Sequence, residues 1–213
     1  MQRLSLGAAA LVLLGTSSIT SAIAAGPQLK GQYGFTGAAH CIQSSVGFNA
    51  NQEALCGDTH QPISVQPNPA NPRTSCPGVF ATTNSVEGIR TFNGNGTGTV
   101  QGHDVSLTVP PNNSSISASS DDFSFSFTYT VDDAGGFTSQ TVPGSFQGQF
   151  VTGPRTGQTF TVDEINVEGL ISNDKKSLVI ATVEPTVETQ QFSNGDVRYR
   201  ICHRSRSLIW MGN

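Results

Sequence analysis

Charge is scarce in this chain. Asp, Glu, Lys and Arg together make up 12% of its 213 residues. Tryptophan occurs once, at Trp210, and methionine twice. No window of about twelve residues carries apolar side chains at the helical period, which excludes a helical bundle and a doubly wound α/β domain. The chain lacks a G-x-S-x-G elbow, a G-K-[ST] loop and an H-E-x-x-H pair, so hydrolase, P-loop and zinc-protease chemistry have no anchor. The glycine-rich run Asn93–Gly98 joins two strand-like segments and opens no helix, so its amides cannot cradle a phosphate. Basic residues are fewer than acidic ones, 11 against 15, which argues against a nucleic-acid partner.

The long apolar run that does exist lies at the start. Arg3 precedes the stretch Leu6–Leu14, and the small residues Ser21–Ala25 follow it. Ala22-Ile23-Ala24 suits signal peptidase, so residues 1–24 are expected to be a secretory signal peptide cleaved near Ala24. The apolar run is too short to span a bilayer, and no transmembrane segment is expected after cleavage. The expected location is secreted or periplasmic, with residues 25–213 as one domain.

Four cysteines in an exported chain read first as disulfides. The favoured pairing is Cys56 with Cys76 and Cys41 with Cys202; Cys41 with Cys56 and Cys76 with Cys202 stays open as the alternative. The first pair would staple a loop over 56–76 that carries four prolines and no periodicity. The second would join strands near the two ends of the mature chain. His40, Cys41, Cys202 and His203 also resemble a zinc set, but an oxidising compartment favours the disulfide, and no metal or cofactor is expected.

The rest of the chain alternates. In DDFSFSFTYTV the residues Phe123, Phe125, Phe127, Tyr129 and Val131 share one face and serines and threonines the other, the pattern of a half-buried strand. Further strands are expected over 30–42, 88–92, 98–101, 105–109, 137–142, 145–151, 158–167, 169–172, 177–183, 186–192 and 197–209. Gly102-His103-Asp104 reads as a turn, and a change of apolar phase at Asp163-Glu164 reads as a bulge. Short strands at this spacing predict an all-β fold, an antiparallel up-and-down barrel of about 8–10 strands, with a β-sandwich as the alternative.

GQYGFTG near the start, RTFNGNGTGTVQG in the middle and GLISNDKKSLVIAT late resemble small exported calycin-type barrels. These are the lipocalin-like group and, more distantly, the allene oxide cyclase barrels. The lipocalin tryptophan after the first glycine is absent, with Tyr33 in that region, so no family residue is carried over. The resemblance implies an up-and-down barrel whose interior can hold a small apolar ligand.

Asn194-Gly195 favours a two-residue hairpin turn. That register sets Phe192 opposite Val197, Gln190 opposite Tyr199 and Glu188 opposite Ile201. Glu188, Gln190, Tyr199 and His203 would then share the inward face and form the polar end of a ligand pocket. Arg198, Arg200, Arg204 and Arg206 would form a basic stripe on the outer surface, where an anionic surface polymer is the alternative partner. The first functional reading is a module binding a small apolar ligand in a cavity of at least ~300 Å³. A structural or adhesive surface subunit and a barrel-interior isomerase or cyclase are the alternatives.

Overall fold

The computed structural model describes residues 28–63, 76–109 and 116–212. The signal-peptide reading and the proline-rich centre of the stapled loop lie outside the described residues. No α-helix occurs among the described residues. Eleven strands form one antiparallel sheet: β1 (Lys30–Ser44), β2 (Val79–Asn93), β3 (Thr97–Val109), β4 (Ser117–Val131), β5 (Gly136–Thr141), β6 (Gln147–Thr152), β7 (Thr159–Val162), β8 (Asn166–Ile171), β9 (Ser177–Ala181), β10 (Val187–Phe192) and β11 (Val197–Gly212). β1 pairs with β11, so the sheet closes into the expected barrel and the closed ring leaves its long strands no free edge.

The wall is built at two levels. One half of β4, Phe127–Val131, pairs with β5, and the other half, Ser120–Ser124, pairs with β6. β11 divides in the same way, pairing with β10 through Val197–Ile201 and with β9 through Ser205–Ile209. Two short walls, β5-β8-β9 and β6-β7-β10, therefore stack along the barrel axis. Each closes a ring of eight strands with β1 to β4 and β11. The segment expected as one bulged strand over 158–167 is instead β7 and the start of β8. Its change of phase at Asp163-Glu164 is where the chain leaves one wall for the other. Gly102-His103-Asp104 is no turn but the middle of β3.

One ring is filled. Phe123, Phe125, Phe127, Tyr129 and Val131 all face the interior and are buried, as their alternation requires. At the β5-β8-β9 level, Phe92 meets Tyr33, Phe127 and Tyr129 edge to face at centroid distances of 5.1, 5.3 and 5.0 Å. Leu29 caps this end: the Tyr129 hydroxyl donates to its carbonyl at 2.7 Å and accepts from its amide at 3.0 Å. Gly98 stands opposite Phe127, where a Cβ would collide with the ring, so the glycine lets the aromatic lie flat on β3.

Both favoured disulfides are present, Cys41–Cys202 and Cys56–Cys76, and no described cysteine is free. They suit an oxidising, extracytoplasmic compartment. The zinc reading fails because Cys41 and Cys202 are bonded to each other inside the barrel, while His40 and His203 stand exposed on the outer face.

The β10–β11 turn is one residue longer than expected. The Phe192 amide donates to the Asp196 carbonyl at 2.9 Å, enclosing Ser193-Asn194-Gly195, with Gly195 at φ 90°. The pairing becomes Glu188 with Arg200 and Gln190 with Arg198. A one-residue slip exchanges the faces of a strand. Val197, Tyr199, Ile201 and His203 therefore take the outer face, and the arginines take the inner one.

Candidate functional site

The half of the barrel walled by β6, β7 and β10 is not filled. It holds a cavity of about 270 Å³ between the end of β1, the start of β2, the end of β3 and the start of β4. Two kinds of surface meet in it. Phe123, Phe125, Phe146, Phe150, Phe160 and Phe192 supply an aromatic side, with stacked ring pairs 5.5–6.2 Å apart. Arg155, Arg198, Arg200, Arg204 and Arg206 supply a cationic side. The cavity falls short of the ~300 Å³ expected of an apolar-ligand pocket, and its lining is mixed instead of mainly apolar.

The arginines, expected as a surface stripe, thus point inward, and Arg204 is only 4% exposed. β11 sets them at alternate positions, 198, 200, 204 and 206, with Cys202 in the middle of the row. Glu188 on β10 joins two of them. Arg204 donates to both carboxylate oxygens, Nη2 to Oε2 at 2.6 Å, and the Arg200 Nε donates to Oε2 at 2.9 Å. Burial works against the Glu188 carboxylate, yet the charges and hydrogen bonds of Arg204 and Arg200 outweigh it and hold its pKa below the usual range.

The other arginines rest on aromatic rings. Arg155 lies 4.0 Å from the Phe192 centroid, Arg198 lies 4.5 Å from that of Phe80, and Arg206 lies 5.6 Å from that of Phe35. Deeper in the barrel, Arg90 lies 4.4 Å over Phe127. A ring supports the face of a guanidinium and leaves its N–H edge for an acceptor. Gly37 stands opposite Arg206, and a side chain there would meet the Arg206 stem, so the glycine makes the room it occupies. Burial lowers Arg90 to about 9, with the Arg206 charge adding to the effect. Burial lowers Arg206 to about 10, helped by Arg204, and Arg198 to about 10, helped by Arg155. All of them stay cationic at neutral pH.

Two carboxyls outside the expected site, one of them Asp104 of the segment expected as a turn, face this group. Asp104 on β3 and Asp121 on β4 are cross-strand partners on the inward face. Asn84 donates to Asp104 at 2.9 and 3.0 Å, but burial still raises the Asp104 pKa. Burial, and then the charge of Asp104, raises Asp121 to about 7. A folded-state pKa above the ordinary 3.8 means that the native carboxyl keeps its proton while the unfolded one has lost it. The resulting cost to stability is absent below pH 3.8, grows as pH rises, and is complete above about 7. Asp121→Asn is therefore expected to stabilise the empty protein by roughly 2–3 kcal/mol at about pH 8 and by almost nothing near pH 4, read from urea unfolding curves. Equal effects at both values would show that Asp121 is not held neutral.

Of the residues expected to form a ligand site, the fold brings Glu188 and Gln190 inside, where both are buried and Gln190 lines the cavity. Tyr199 stands apart on the outer face beside Gly47, and His203 is exposed beside its cross-strand partner His40. The Glu188–Tyr199–His203 grouping does not form. His103 is also outside, 2.7 Å from Asp122, while its neighbour Asp104 faces in.

A phase argument points to the missed arginines. Cys41 shares the odd-numbered face of the first strand with Tyr33 and Phe35, whose aromatic alternation marks it as inward. A strand-to-strand disulfide puts Cys202 on the inward face too, and the four arginines share its phase.

Some cavity residues keep polar atoms without a protein partner. These are the Gln43 Oε1, the Asn84 Oδ1, one terminal nitrogen of Arg155 and the Arg206 Nε. Buried polar groups are ordinarily satisfied by protein, water or ligand, so these four leave donors and acceptors for water or a ligand in the cavity.

No family model, curated protein or solved structure matches this chain.

Proposed function

We propose that the protein is an exported β-barrel that binds a small amphipathic anion, with its apolar body against the phenylalanines and its charged head among the arginines. The observation carrying this reading is a surplus of buried positive charge. Five arginines line the cavity. Glu188 engages two of them and Asp196, outside the lining, pairs with Arg155 at 3.5 Å, while the carboxyls within the lining, Asp104 and Asp121, are both drawn toward the neutral acid. A buried charge without a counter-ion is costly, and an anion in the cavity would remove that cost. The stacked guanidinium faces leave N–H edges whose geometry suits carboxylate, sulfonate or phosphate. The proposed apolar partner therefore becomes an apolar anion, and the anionic partner assigned to an outer stripe moves inside. The two disulfides and the N-terminal segment over 1–24, read as a secretory signal cleaved near Ala24, support export into the periplasm or the medium.

The test compares naphthalenesulfonate with naphthol, which share a two-ring body and differ in the charge of the head. Isothermal titration is expected to show at least about tenfold tighter binding of the sulfonate. Arg206 has no ion pair of its own among the described residues that line the cavity, and its Nε lacks a protein partner. Arg206→Met is expected to weaken that binding by at least about tenfold while leaving the melting temperature of the empty protein unchanged or higher, because replacing such a buried ion by an apolar side chain is often stabilising. Equal affinity for the two probes would overturn the anion reading in favour of a purely apolar pocket. Binding of neither would remove ligand binding altogether.

A further inference from the structure

Resting on the anion reading above, we propose that the cavity takes up its anion together with a proton, which the facing pair Asp104 and Asp121 holds. The two carboxyls are opposed across the β3–β4 ladder and line the same cavity as the arginines. Each is buried enough for burial to be the leading influence on its charge.

The charged groups around the pair can be taken element by element. β11 brings Arg200, whose positive charge favours both ionised carboxyls, and Arg206, whose charge favours that of Asp104, and Arg198 and Arg204 line the cavity beside them. The segment between β6 and β7 brings Arg155, paired with Asp196 at 3.5 Å, and β10 brings Glu188, already held by Arg200 and Arg204. β2 contributes the neutral Asn84, and β1 contributes no ionisable side chain to the cavity lining. On their own strands, His103 and Asp122 are paired with each other on the outer face.

The arginines are thus shared between two sets of negative groups, the protein's own carboxyls and the incoming head group. An anion that engages Arg200 and Arg206 withdraws their support from Asp104 and Asp121 and adds a like charge beside them. One carboxylate oxygen then binds a proton from solvent, and the net charge of the cavity stays nearly constant. In the empty protein Asp121 has lost about half of its proton at pH 7. Above that pH the ionised pair competes with the ligand for the guanidinium groups. The protein therefore captures its anion in mildly acidic surroundings and releases it as they become neutral to alkaline. The sign follows from linkage: a complex that binds more protons than its parts forms less readily as pH rises. Because the two carboxyls interact, the titration belongs to the pair and not to either residue.

Naphthalenesulfonate tests this directly, because its sulfonate is ionised throughout the range and only protein groups titrate. Its affinity for the wild-type protein is expected to be at least about fivefold tighter at pH 6 than at pH 8.5, against a limit of about tenfold per pH unit for one proton. Titration at about pH 7 in two buffers of different ionisation enthalpy is expected to show a net uptake approaching about half a proton per ligand bound, because Asp121 is already about half protonated there, a readout that needs no variant. In the double variant Asp104→Asn/Asp121→Asn the affinities at the two pH values are expected to agree within about twofold. Tight binding with no proton uptake and no pH dependence would overturn the proposal and leave the anion reading standing. So would a double variant that keeps the wild-type slope. Failure of the sulfonate to bind at either pH would remove both.

Discussion

Replacing Cys41 and Cys202 together by alanine is expected to cost about 4–5 kcal/mol, the largest loss from removing any one cross-link in the molecule. The two cysteines are 161 residues apart in sequence, and loop-closure entropy grows with the length of chain a bond encloses. The bond also ties β1 to β11, the pair that closes the ring, so the unfolded chain it restrains is nearly the whole barrel. The companion change, Cys56→Ala with Cys76→Ala, opens a separation of 20 residues and is expected to cost about 3 kcal/mol. Guanidinium unfolding followed by near-ultraviolet circular dichroism gives both values. A smaller loss for the first pair than for the second would show that strand pairing between β1 and β11, and not the bond, restrains the chain.

Glu188→Ala is expected to cost about 3–5 kcal/mol, because it leaves Arg204 and Arg200 buried without their shared counter-ion. Glu188→Gln keeps the shape and one acceptor but not the charge, and its loss should fall between those of wild type and alanine. The pH dependence has a definite sense. The Glu188 pKa is lowered in the folded protein from the ordinary 4.5, so its stabilisation is fully present above pH 4.5 and is lost as pH falls below that value. The penalty of Glu188→Ala is therefore expected to shrink below about pH 4 and to stay constant between about pH 6 and 8. A penalty under ~1 kcal/mol at neutral pH would mean that water in the cavity already satisfies both guanidinium groups. Urea midpoints at several pH values settle the matter.

How much of this was legible in the sequence depends on how far each inference had to reach. The alternation of Phe123 to Val131 is local, and it assigned the inward face of β4 correctly because period two needs no knowledge of partners. The disulfides were legible through the company the cysteines keep, one pair around a loop without periodicity and the other on strands near both ends. The hairpin at Asn194-Gly195 was read one residue short. An Asn-Gly pair serves a two-residue turn, but the same glycine also serves the third position of a three-residue turn with a bulge, as Gly195 does here. That single residue exchanged the faces of β11 and turned a surface stripe into a cavity lining. The outward position of Val197, Tyr199 and Ile201 misled further, since three apolar residues in alternation ordinarily mark a core face.

Asp104 and Asp121 were harder to find. Nothing in their neighbourhood announces a pair, because they become neighbours only through the β3–β4 register. Arg90 and Arg155 come from strands and loops far from the arginine-rich segment, and only closure of the ring gathers them. The division of the wall into two levels has the same origin. A change of phase at Asp163-Glu164 shows that something happens to the chain there, but not that the next strand belongs to another tier.

That two-tier construction separates a packed tier from an open one. The β5-β8-β9 tier is packed around Phe92 and anchors one half of β4 and β11; Phe123, Arg198 and Arg200 line the cavity from the other halves, and Arg206 reaches it from the β9-paired half of β11. The lining is thus held from outside itself, by strands whose far ends are already locked. Such a barrel has one tier closed by its own side chains and one tier left open.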